Sequence, residues 1–62
     1  MFDTVVSSLS IGTKFMCPDT TDIYCVTKVY HRLKIVIVAE NMSYGTSRIM
    51  AGHIHVCPLY SL

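Results

Sequence analysis

The sequence has no uninterrupted apolar run longer than Ile35 to Ala39, no CxxC pair, no glycine-rich phosphate loop and few charges of either sign. Each absence excludes something. A bilayer crossing needs roughly 20 apolar residues, and Met1 to Ser10 has neither a positive n-region nor an apolar h-region. The expectation is a soluble intracellular protein, cytoplasmic and reduced, with no membrane contact. Three cysteines at the unrelated positions 17, 25 and 57 do not form the even framework of a small secreted domain. Cys17 and Cys25 are spaced to face each other across a hairpin, but reduced thiols are the expected state, and without a CxxC nothing supports thiol–disulfide exchange. Five basic and four acidic side chains leave a net charge of +1, so no global field draws the molecule to nucleic acid or to an anionic membrane.

What the chain has is hydrophobicity in little space. Its 62 residues make one domain, and a chain of that size buries only about 60% of its unfolded surface. A hydrophobic content of 52% argues for a folded core and against disorder. So small a domain cannot hide every apolar side chain, which predicts cover from a protein partner or from a second copy in a homo-oligomer.

The period of the sequence changes early. In "FDTVVSSLS", Asp3 or Thr4 reads as an N-cap, with Phe2, Val5, Val6 and Leu9 at helical offsets, which predicts a short helical flap over residues 1–10 ended by Gly12. From Ile11 the alternation is two-residue, and Pro18 closes a first strand. After the turn "PDTTD", a second strand runs near Ile23 to Tyr30. "HRLK" lacks the Gly or Asn of a tight two-residue hairpin, and "LKIVIVAE" is the strongest strand signal, over Leu33 to Glu40. Its centre is apolar on both faces, Ile35 and Ile37 on one, Val36 and Val38 on the other, as in a strand covered on two sides. "ENMSYGTS" is a turn, and "SRIMA" and "HIHVCPLYSL" are two further strands around Ala51 and Gly52.

The sum is mainly β: five short antiparallel strands over residues 11–60 behind an N-terminal helix. A hairpin, the corner "MAG" and a terminal strand ending in Pro58 resemble the closing elements of an SH3-like barrel, a resemblance of element order over Ile11 to Leu59. In size, composition and absence of motif, the chain also resembles the small accessory proteins of tailed bacteriophages, which implies a module that binds and disables a host protein.

Three constellations carry chemistry. In "GHIHVCP", His53, His55 and Cys57 project from one strand face, and two histidines so spaced can share a zinc ion. The competing reading places Ile54 and Val56 inward, the histidines in water and Cys57 at the barrel seam. In "KVYHRLK", Lys28, Arg32 and Lys34 surround Tyr30 and His31 at a hairpin tip, with Tyr24 on the strand face of Lys28 and Tyr30. Cations for phosphate and rings for bases are what a single-stranded nucleic-acid platform uses; the same residues also suit a solvated hairpin end. The third constellation is Tyr24, Tyr30, Tyr44, Tyr60, Met42 and Met50, residue types enriched at protein interfaces.

Catalysis has no support. The serines lie in no nucleophile-elbow context and the four acids form no dyad, while His55 and Cys57, two apart on a strand, point in parallel and form a poor nucleophile–base pair. No cofactor is expected. The leading expectation is a non-catalytic protein-binding module, a small inhibitor or adaptor using Tyr24, Tyr30, Arg32, Met42 and Tyr44. The alternative is a nucleic-acid-binding barrel using Lys28, Tyr30, Arg32 and Lys34, and a minor one is zinc on His53, His55 and Cys57.

Overall fold

The computed structural model describes residues 2–60. They form six strands: β1 (Thr4–Val5), β2 (Lys14–Met16), β3 (Ile23–His31), β4 (Ile35–Asn41), β5 (Ser47–Ala51) and β6 (His55–Pro58). All pair antiparallel in one open sheet of order β1-β6-β2-β3-β4-β5. The long strands follow from their content: β3 and β4 are rich in β-branched and aromatic residues over seven or more positions. His31 pairs with Ile35, leaving Arg32, Leu33 and Lys34 as a three-residue turn with no positive φ, as a hairpin without Gly or Asn requires.

Two expectations are corrected. Among the described residues the strands number six, because Thr4 and Val5 pair with Val56 and His55. The N-terminal helix is absent from the described residues; the segment is strand β1 followed by a single 3-10 turn, Val6–Ser8. The physical reason lies in the residues. Val5 and Val6 are β-branched and lose rotamer freedom in a helix, and the Ser8 hydroxyl donates to the Val5 carbonyl at 2.8 Å, a local bond that competes with helix continuation. Val6 and Ser7 instead donate backbone N–H groups to Ile54 and Gly52.

The core lies on one side of the sheet. Val6, Leu9, Phe15, Cys17, Tyr24, Val26, Ile37, Ala39, Met50 and Val56 are buried there, with Val29 and Ile54 packed against them. The N-terminal segment thus covers the inner face of β4 through Val6 and Leu9. Gly52 makes this closure feasible. A Cβ at that position would lie 2.9 Å from Ile35 Cγ2 and 3.0 Å from Ser7 Cβ, so the β5–β6 corner can pass between them only without a side chain. No helix among the described residues is long and apolar enough to cross a membrane.

Candidate functional site

One extra residue in β3 decides which side chains face solvent. Val26 pairs with Ala39 and Lys28 with Val38, so Thr27 is a bulge without a partner of its own. Its hydroxyl donates to the Val38 carbonyl at 3.1 Å. The bulge reverses the alternation: Tyr24 and Val26 point inward before it, while Lys28 and Tyr30 point outward after it.

The outer face therefore carries two cross-strand rows, Lys28–Val38–Ile49 and Tyr30–Val36–Ala51. The β3–β4 turn folds beside them. Tyr30, Arg32, Leu33, Lys34, Val36, Val38 and Ile49 line a groove of about 640 Å³. Leu33 is fully exposed, Ile49 is 74% exposed and Tyr30 48%. Nothing else in the described chain covers these side chains, since the N-terminal segment has gone to the opposite face. The lining holds two cations and no carboxylate. A second recess of about 390 Å³, between Val5, Ser7, Ile35, Ala51, Gly52 and His53, shares Lys34 with the first. Such a surface offers apolar area flanked by positive charge.

The residues singled out in the sequence fall in different places. Tyr30, Arg32 and Lys34 line the groove, and Lys28 stands next to it in the Val38 row. Tyr24, expected on the same face, is on the other: it is 8% exposed and stacks on Phe15 at 5.9 Å between ring centroids. The guanidinium of Arg48 lies 5.5 Å from its ring centroid, held by two bonds to Asp19 at 3.3 and 2.7 Å. Hydrogen bonding from Arg48 holds the Asp19 carboxyl below the usual carboxylate range, and the Arg48 guanidinium is pushed up chiefly by the same bond and then by Tyr24. Burial pushes the nearby Cys17 thiol up, and Cys17, Cys25 and Cys57 are all free.

Met42 and Tyr44 are exposed in the β4–β5 turn. Seven residues of β4 separate that turn from the β3–β4 turn, about 20 Å along the strand, so the expected contact residues do not form one patch. Asn41 builds this turn. Its side-chain oxygen accepts from the Ser43 and Tyr44 N–H groups at 2.9 and 3.1 Å, and its amide donates to Asp22 at 3.0 Å.

On β6 and in the turn before it, Val56 is buried and Ile54 packs against the core, while His53 and His55 are exposed and Cys57 is half-buried opposite Met16. Among the described residues no group of three His, Cys, Asp or Glu side chains comes together as a metal set. The sequence reading missed Leu33 and Ile49 as surface residues. The available signal was the second apolar face of "KIVIVAE", which called for cover that the described residues supply only in part.

No protein-family model matches the chain, and neither a curated protein nor a solved structure matches it.

Proposed function

We propose that the chain is a non-catalytic protein-binding module, a small inhibitor or adaptor, and that it binds through the outer face of β3, β4 and β5. The observation that carries this reading is the uncovered apolar groove formed by Tyr30, Leu33, Val36, Val38 and Ile49. Apolar side chains at adjoining positions on a solvent face are unfavourably hydrated, and a partner that removes them from water gains that free energy. Tyr30 and Arg32 are the residue types that anchor protein interfaces. Met42 and Tyr44 lie at the far end of the sheet, so they serve a contact that runs the length of β4, or none.

The finer architecture we assign is an SH3-like barrel. It is supported by the consecutive hairpins β2 to β5, by β6 returning to lie beside β2, and by the tight corner at Gly52. The resemblance in type to accessory proteins of tailed bacteriophages makes a host protein the target class.

Nucleic-acid binding is the second reading, favoured by Lys28, Arg32 and Lys34 around the Tyr30 ring. Salt separates the two. A protein contact centred on apolar area keeps its affinity between about 50 and 200 mM salt, whereas a phosphate contact by three cations loses it in proportion to the charges neutralised. Measured affinity that falls about tenfold or more over that range, and falls less after Lys28→Ala with Arg32→Ala, contradicts the protein-binding reading.

A further inference from the structure

The edge of the sheet beside this groove is open. Asn41 donates its N–H to the Thr46 carbonyl at 2.7 Å and Gly52 donates to the Ile35 carbonyl at 3.0 Å. These two bonds fix the phase of the β4–β5 ladder, because hydrogen-bonded pairs alternate with non-bonded ones in an antiparallel pair. Arg48 and Met50 thus direct their backbone groups to β4, and Ser47, Ile49 and Ala51 direct theirs away from the sheet. The Ala51 carbonyl is taken by the Ile54 N–H at 3.3 Å. The N–H groups of Ser47, Ile49 and Ala51 and the carbonyls of Ser47 and Ile49 have no backbone partner among the described residues. Strand β5 holds no proline or lysine to blunt this edge, while the opposite edge, β1, is only two residues long.

We infer that β5 receives an extended segment of the partner protein as a seventh, antiparallel strand, with an apolar side chain next to Ile49 and acidic residues at its N-terminal end. This rests on the groove being the docking face, and it names the partner's chemistry. The side chains of Ser47, Ile49 and Ala51 share the outer face with the groove, so an added strand extends that face and lays alternate side chains against it. An antiparallel strand begins beside Ala51. There Lys34 and His53 line the second recess, and Arg32 and Lys34 line the first, with no carboxylate in either. A second copy of the chain fits less well: its own β5, Ser-Arg-Ile-Met-Ala, holds no acid to set against these cations, and its arginine is engaged with Asp19 on the inner side.

The probe is a capped heptapeptide of two glutamates followed by alternating valine and threonine, added to the ¹⁵N-labelled full chain. The amide shifts should concentrate at Ser47, Ile49 and Ala51. Methylating the ladder-forming backbone nitrogens of the peptide should weaken binding about tenfold, and exchanging its glutamates for lysines should do the same. Ile49→Pro removes an outward N–H without touching a β4 bond, and should weaken binding similarly while the melting curve still shows a cooperative fold. Insensitivity to N-methylation overturns the added strand, as does failure of the probe to bind at about 1 mM. Insensitivity to Leu33→Ser instead overturns the groove as docking face, so the two failures are distinguishable. Self-association of the free chain that Ile49→Pro abolishes would make the occupant a second copy and overturn the proposal.

Discussion

Tyr30 stands directly opposite Val36 across the β3–β4 ladder, and both point away from the core. This pair exists on the outer face because of Thr27, whose bulge shifts the phase of β3 between Val26 and Lys28. In an unbulged strand Tyr30 would share the face of Tyr24 and Val26, inside. The groove is therefore a consequence of one inserted position, together with an N-terminal segment that covers the inner face of β4, leaving Val36 and Val38 half-buried on the outer face beside the exposed Tyr30 and Ile49.

Gly52→Ala should destabilise the fold by about 1–3 kcal/mol, the usual cost of forcing a methyl group into a filled space. The added Cβ meets Ile35 and Ser7, and the corner also carries two backbone bonds, Ser7 N–H to Gly52 and Gly52 N–H to Ile35, each 3.0 Å. In a chain of this size that is a fall in Tm of several degrees per kcal/mol, read by thermal melting. An unchanged Tm would show that the corner is looser than described.

Asn41→Ala should cost about 1–3 kcal/mol, because it leaves the Ser43 and Tyr44 N–H groups and the Asp22 carboxylate without the partner they now share. Asn41→Asp separates the two roles. It keeps the acceptor for the turn but sets a second carboxylate against Asp22, so it should lose stability at neutral pH and recover part of it below about pH 4, where carboxylates protonate. Urea melts of the three proteins at pH 7 and pH 4 measure this.

The Asp19–Arg48 pair gives the fold an acid-sensitive contribution. The folded-state pKa of Asp19 is lowered, chiefly by its bond from Arg48. A depressed pKa means that the contribution is complete above the unfolded value of about 3.9 and is lost as pH falls through the folded value. Arg48 remains charged throughout. The Tm difference between the native chain and Asp19→Asn should be constant above about pH 5 and should shrink steadily toward pH 2. A difference independent of pH would mean that the pair orders the Arg48 side chain over Tyr24 without contributing charge stabilisation.

How much of this was legible in the sequence depends on the element. The strands β3 and β4 announce themselves through "IYCVTKVY" and "KIVIVAE", and the inward placement of Ile54 and Val56 follows from simple alternation. The two-residue strand β1 is too short to have a period, so its valines suit a helical offset equally well, and only pairing with Val56 and His55 settles it. Alternation also failed at Thr27, since no single residue type marks a bulge; the face of Tyr24 was misplaced for that reason. The histidine row looked chemical because of its spacing, yet His53 lies in the β5–β6 turn and His55 opposite Val5, and among the described residues no three metal-ligating side chains come together. The groove was half visible: the doubly apolar strand called for a second cover, and only the tertiary structure shows that among the described residues Tyr30, Leu33 and Ile49 beside it stay exposed.

The most direct test of the docking face is the affinity for a captured partner of chains carrying Leu33→Ser, Ile49→Ser or Tyr44→Ala. Leu33 and Ile49 are exposed and contribute little to the core, so these changes should move stability by no more than about 0.5 kcal/mol. If the groove is the contact, Leu33→Ser and Ile49→Ser each weaken binding about tenfold or more, with Tm nearly unchanged, and Tyr44→Ala at the far end has a smaller effect. Full affinity in the Leu33→Ser and Ile49→Ser chains, with loss in Tyr44→Ala, would contradict the account and move the contact to the β4–β5 turn.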